Sequence, residues 1–178
     1  MSPDPVTHPR VARTLADFTG PGLMIPGLRG VESASAIKEL TEALRSENRV
    51  PDALPFYQAV LNREFLAGTD VEAGMALPHA RMEGLSEVCF ALGRTGEPVR
   101  WGPPGFGSVR LVFLLAVPAT DSAQYLQVIA GLARLSRDPG LMRRLLEAGD
   151  AAEMFGVLHW VGLGSHGRAG AGAARSGA

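Results

Sequence analysis

Three side chains suited to nucleophilic and anion-binding chemistry fall in one part of the chain. His79 follows Pro78 directly, and Thr69 and Arg63 lie upstream of it. A neutral imidazole is a competent nucleophile, and guanidinium and backbone N–H groups suit the oxygens of a phosphoryl group. Plainer readings stand beside these. A histidine at a strand end is as a rule a surface or hydrogen-bonded residue, an arginine often pairs with a surface carboxylate, and a threonine often caps a turn.

The elements that must position these groups can be read from spacing. Proline pushes the residue before it towards extended geometry, so Met75-Ala-Leu77 predicts a strand over 74–78, with His79 at its mouth where a loop begins. Upstream, a helix over 54–66 with Pro55 in its first turn and Phe56 and Val60 on its core face delivers Arg63 to that end. Before it, Gly22–Pro26 reads as a strand, and a helix runs from Ser33 or Ser35 to Asn48 on the stripe Ile37, Leu40, Leu44. After it, strands are predicted over 87–93 and 109–117. The second is an almost continuous apolar run, as in a central strand covered on both faces.

Between those strands, Gly102-Pro-Pro-Gly-Phe-Gly107 reads as an irregular loop. It lacks the GxxxxGK[ST] pattern of a phosphate cradle and opens no helix. Asp121 or Ser122 caps a helix to Ser136, whose buried face is Leu126, Ile129, Leu132 and Ala133. Asp138-Pro139 opens another with Leu141, Leu145 and Leu146 inward, and Asp150-x-x-Glu153 caps a last one ending near Trp160. Strands alternating with helices predict a single α/β domain over residues 11–161, between a disordered lead-in (1–10) and a disordered Gly/Ala-rich tail (162–178).

Composition narrows the partners. The 178 residues are 46% hydrophobic and 20% charged, with a net charge of −1, so no basic excess favours nucleic acid. A single cysteine, Cys89, excludes an internal disulfide and fits a cytoplasmic protein, and its apolar neighbours mark it as a small buried hydrophobe. No apolar run reaches the roughly 20 residues that span a bilayer, so no direct membrane insertion is expected. His8, His159 and His166 show no metal-ligand spacing, and neither metal nor cofactor is expected.

The run Thr69-x-x-x-x-Gly74-x-Ala76-x-Pro78-His79 resembles the active-site segment of enzyme IIA domains of the mannitol/fructose class. These are phosphocarriers of the bacterial phosphoenolpyruvate-dependent sugar phosphotransferase system, and nitrogen-regulatory relatives share their fold. Glu97-Pro-Val-Arg-Trp-Gly102, the run Val109–Pro118, Leu126-x-x-Ile129-x-x-Leu132-Ala-Arg-Leu135 and Arg137-Asp-Pro139 are similar to the family's second half. The resemblance spans roughly Leu15 to Val161. It implies a mixed β-sheet of about five strands flanked by helices on both faces. It also implies that His79 takes a phosphoryl group from a small histidine-containing phosphocarrier protein and passes it to a IIB domain or a regulatory target protein. Arg63 would neutralise the phosphate with help from backbone N–H groups and the Thr69 hydroxyl, and a backbone carbonyl would fix the histidine tautomer.

Two segments depart from the family. Its usual second histidine, just before the helix over 126–135, is replaced by Tyr125, which the resemblance aims at His79. A tyrosine donates a hydrogen bond but adds no group that titrates near neutral pH. Asp70 and Glu72 stand where small residues are usual and bring carboxylates near an anion site. Two functions follow: a phosphocarrier, or a regulatory module of the same fold that acts by docking to a partner with weak or no phosphotransfer.

Overall fold

The computed structural model describes residues 13–164 apart from 67, 69, 106, 121 and 122. The predicted lead-in, nearly all of the predicted tail, Thr69, His8, His166 and the proposed caps Asp121 and Ser122 therefore lie outside the described residues, as do the side chains of Asp70 and Glu72. The elements run β1 (Met24–Leu28), α1 (Ser33–Ser46), α2 (Ala53–Leu66), β2 (Asp70–Val71), β3 (Met75–Ala76), β4 (His79–Met82), β5 (Cys89–Arg100), β6 (Ser108–Pro118), α3 (Ala123–Ser136), α4 (Pro139–Glu147) and α5 (Ala151–Leu158).

The sheet has the order β1-β5-β6-β3-β2, with β4 also on β6. β3 and β4 both run parallel to β6: Met75 and Ala76 lie opposite Leu111 and Val112, and His79 to Met82 lie opposite Leu115 to Pro118. They are one strand position interrupted at Leu77-Pro78, so the sheet is five positions wide and mixed, since β5 runs antiparallel to β6. The interruption has a local cause. Proline has no N–H to give the ladder, although the Pro78 carbonyl still accepts from Leu115 N at 2.9 Å. His79 is thus the first residue of β4 and not, as the sequence suggests, the start of a loop.

Leu111 to Val117 of β6 are all buried, and successive side chains of a strand point to opposite faces, so both faces of the sheet are covered. Ile37, Leu40 and Leu44 of α1 are fully buried, as are Phe56 and Val60 of α2. In α3 the buried face is Val128, Leu132 and Leu135; Leu126, expected inside, is 58% exposed. In α4, Leu145 and Met142 are buried, while Leu141 and Leu146 pack only partly.

Several boundaries move for identifiable reasons. β1 starts at Met24 because Pro21–Leu23 forms a 3-10 turn. As an edge strand it tolerates Pro26. β5 continues to Arg100 by shifting register between Arg94 and Val99, well past the expected end at Gly93. At the far end Gly162 bridges Thr14, and Leu163 is buried with its N–H bonded to Arg13 O at 2.8 Å. Gly131 of α3 makes room for it: a Cβ there would come within 2.6 Å of Leu163 Cδ2 and 2.9 Å of Leu15 Cδ2. Packing extends through Leu163, beyond the boundary drawn at Val161.

Capping follows the sequence. The Asp138 carboxylate accepts from Gly140 N and Leu141 N, both at 3.0 Å, at the start of α4. The Asp150 carboxylate accepts from Glu153 N at 2.8 Å at the start of α5. At the other end of α4, Arg94 of β5 donates through Nη1 to the carbonyls of Leu145 (2.9 Å), Leu146 (3.1 Å) and Ala148 (2.7 Å), and through Nε to Pro26 O at 3.1 Å. One guanidinium therefore joins β1, β5 and the carbonyl end of a helix, where acceptors lack partners within the helix. Arg94→Ala is expected to cost about 2–3 kcal/mol, the scale of lost charge-assisted hydrogen bonds, measured as a lower midpoint in urea at unchanged slope.

Candidate active site

The site is built where three elements converge. β4 supplies His79, the end of α2 supplies Arg63, and the first turn of α3 supplies Tyr125. These three, with Ala80, Arg81 and Val117, line a small cavity of about 90 Å³. α2 is anchored beside Arg63. Trp101, fully buried at the end of β5, donates its indole N–H to Glu64 Oε2 at 3.2 Å, which ties the last turn of α2 to the sheet.

The His79 ring is held at both nitrogens. Nδ1 lies 2.8 Å from Leu77 O. A carbonyl only accepts, so Nδ1 carries the proton and Nε2 keeps its lone pair. The Tyr125 hydroxyl lies 3.3 Å from Nε2, and as Nε2 is the acceptor the hydroxyl is the donor. The two rings are tilted, 5.5 Å between centroids. Burial pushes the His79 pKa below its usual 6.5; the bond to Leu77 opposes this, and the positive charges of Arg63 and Arg81 add to it. Near neutral pH the imidazole is therefore neutral, with its nucleophilic nitrogen turned towards the cavity.

Arg63 makes neither of the salt bridges present among the described residues, Arg29–Glu39 and Arg45–Glu42. It is exposed at the end of α2, in a last helical turn that favours a cation. The sequence reading did not single out Arg81. Its guanidinium lies over the Tyr125 ring, 5.8 Å from the centroid, and Nη1 donates to Pro118 O at 3.4 Å. The signal that would have found it is strand periodicity, because residues two apart on β4 share a face, but the sequence placed no strand there.

Next to the site, β2 and β3 form a tight antiparallel hairpin with Asp70 opposite Ala76 and Val71 opposite Met75. Its turn places Ala73 at φ 68° and Gly74 at φ 70°. Glycine takes that conformation without strain, whereas Ala73 does not. Of the remaining groups the sequence raised, Cys89 is buried with its thiol pushed up to about 11, and His159 packs edge-on against Phe155. Neither meets the cavity.

The ring's environment makes a pH prediction. The folded pKa of His79 is depressed, so its contribution to stability is fully present above the unfolded value near 6.5 and is lost as pH falls towards the folded pKa. In that window stability should fall with acidification more steeply in the wild type than in His79→Gln. A histidine NMR titration should show His79 with a midpoint below 6.5 and the Nδ1–H tautomer above it. A midpoint at or above 6.5 would contradict the burial argument.

Comparison with known proteins places the chain in a family. Residues 25–159 match the family model described as phosphoenolpyruvate-dependent sugar phosphotransferase system, EIIA 2. A nitrogen regulatory protein of Bradyrhizobium diazoefficiens is 29% identical over 144 residues, covering 81% of this chain and 94% of that protein. A fructose-specific EIIA component of Haloferax volcanii is 30% identical over 123 residues, covering 69% of this chain and 80% of that protein. Against the 2-O-alpha-mannosyl-D-glycerate-specific EIIABC component of Escherichia coli, 27% identical, the chain spans only 23% of the relative's length. Among solved structures, the nitrogen regulatory protein IIA-Ntr of Neisseria meningitidis superposes with a TM-score of 0.72 at 24% identity, covering 81% of this chain and 98% of that one. IIA mannitol of Escherichia coli superposes with a TM-score of 0.66 at 25% identity, covering 78% and 97%. With most of its length matched by the family model and the same fold in these neighbours, the chain belongs to the EIIA type 2 family of the sugar phosphotransferase system.

Proposed function

We propose that this chain is a cytoplasmic IIA-type phosphocarrier in which His79 Nε2 takes a phosphoryl group from the phosphohistidine of a small histidine-containing carrier protein and passes it to a IIB component. The observation that carries the reading is the ring itself. Nδ1 is tied to Leu77 O, and Nε2 faces a cavity that Arg63 also lines. Phosphoryl transfer needs an in-line nucleophile and stabilisation of charge on the equatorial oxygens, and a neutral imidazole beside a guanidinium offers both without a metal. Arg63 neutralises the phosphoryl oxygens, Tyr125 donates to them once displaced from Nε2, and the Thr69 hydroxyl assists. No described helix is long and apolar enough to cross a membrane. One structural neighbour was solved as a complex of IIA mannitol with phosphorylated IIB mannitol, and other relatives are multiphosphoryl transfer proteins, which supports a IIB acceptor and a carrier-protein donor here.

A second reading has its own support. The relative matched over 94% of its length is a nitrogen regulatory protein, and the Tyr125 hydroxyl sits on the nucleophilic nitrogen. In that reading the fold is kept for docking to a regulatory target, and transfer is weak or absent.

Incubation with phosphoenolpyruvate, the system's first enzyme and its carrier protein separates the two. The wild type is expected to take one acid-labile phosphoryl group, and His79→Ala none. Tyr125→Phe should slow transfer by the equivalent of roughly 1.5–3 kcal/mol, one charge-assisted hydrogen bond, while Tyr125→His should preserve or raise it. Labelling that persists in His79→Ala would sink the site assignment. Equal rates in wild type and Tyr125→Phe would remove the role given to the hydroxyl.

A further inference from the structure

We propose that Arg81 is a second phosphate-binding residue of this site, sharing with Arg63 the oxygens of a phosphoryl group on His79 and fixing the Tyr125 ring beside it. The inference rests on the phosphocarrier reading and adds a residue to it. Strand geometry is its first support. His79 and Arg81 are two apart on β4, so both point to one face of the sheet, roughly 6–7 Å apart along the strand. Between them Ala80 points the other way and is buried. The register holds them firmly, with His79 opposite Leu115 and Arg81 opposite Val117, and Val117 lines the same cavity.

Tyr125 gives the second support. Its hydroxyl touches Nε2 of His79, while its ring lies under the Arg81 guanidinium at a distance suited to cation–π attraction. A phosphoryl group bonded to Nε2 takes the place of that hydroxyl and so enters the space that Tyr125 and Arg81 bound together. The third support is charge. A phosphoryl group brings roughly two negative charges at pH 7, and Arg63 supplies one positive charge. Arg81 supplies the other from the same strand as the nucleophile, whereas Arg63 reaches the cavity from the exposed end of a helix.

Chemical loading tests this without a donor protein. Phosphoramidate phosphorylates neutral imidazoles, so wild type, Arg81→Gln and Arg81→Lys can all be charged with it and followed by 31P NMR. Nearby cations lower the second pKa of a bound phosphoryl group. Arg81→Gln should raise that midpoint by roughly half a unit or more, and Arg81→Lys by less. Transfer from the carrier protein should fall about tenfold or more in Arg81→Gln and recover in large part in Arg81→Lys. Because Arg81 is exposed, the variants should melt with the wild type.

A phosphoryl titration in Arg81→Gln that superimposes on the wild type overturns the proposal, even if transfer slows, since the arginine would then serve only partner docking. Failure of phosphoramidate to load His79 overturns it together with the phosphocarrier reading. If phosphoramidate loads His79 and the carrier protein does not, that reading fails and the 31P titration still decides the role of Arg81.

Discussion

The site depends on one hydrogen bond, from His79 Nδ1 to the carbonyl of Leu77 at 2.8 Å. Without it the imidazole could adopt either tautomer and turn about its side-chain bonds. With it, Nε2 is the nitrogen that retains a lone pair, and the ring plane is set. The acceptor is available because it points away from β6: the Pro78 carbonyl accepts from Leu115 N, and successive carbonyls of an extended chain point to opposite edges. The ladder to β6 stops after Ala76 and resumes at His79, so Leu77 has no opposite residue in it. A proline placed one residue before the histidine removes one donor from the ladder and keeps Leu77 extended, which leaves that carbonyl beside the ring. It also restarts the strand with the histidine at its head.

Everything else brings partners to that fixed ring from different parts of the chain. β6 is buried along most of its length and gives β4 a rigid template. α2 ends at the cavity and is tied there by Trp101 and Glu64, which couples the position of Arg63 to the sheet. α3 begins at the cavity and presents Tyr125 within its first turn, while Val128, Leu132 and Leu135 bury the rest of the helix. His79, Arg63 and Tyr125 therefore all sit on regular elements, which suits a site that must hold a ring to within about half an ångström.

How much of this was legible varied with the physics behind each feature. The helices were readable because apolar residues recur at helical spacing and Asp138 and Asp150 mark their starts. His79, Arg63 and Tyr125 could be named from motif and position, and the cavity gathers all three. β4 was not legible. Its four residues, His-Ala-Arg-Met, alternate polar and apolar, but over a run too short and too close to a proline to mark a strand, and they form one because β6 offers an edge, a tertiary effect that outweighs local preference. Missing the strand meant missing Arg81, whose relation to His79 exists only in extended geometry. Leu163 escaped for a similar reason. It lies in a Gly-rich context that reads as tail, and only the gap left by Gly131 gives it a place to pack.

The electrostatics of the site suit both the free histidine and its proposed phosphorylated state. In the free protein, burial and the two guanidinium groups disfavour the imidazolium, which keeps Nε2 unprotonated and nucleophilic. In the proposed phosphorylated state the sign of the group at Nε2 reverses, and the same guanidinium charges become attractive. The Tyr125 hydroxyl follows the same logic, since it donates to a lone pair before transfer and would donate to a phosphoryl oxygen after it. A second histidine in its place could itself take up a proton and add positive charge, a variable that tyrosine removes. What remains is a neutral imidazole beside two guanidinium groups, so the anion binding proposed for the site would rest on the arginines and not on an imidazolium.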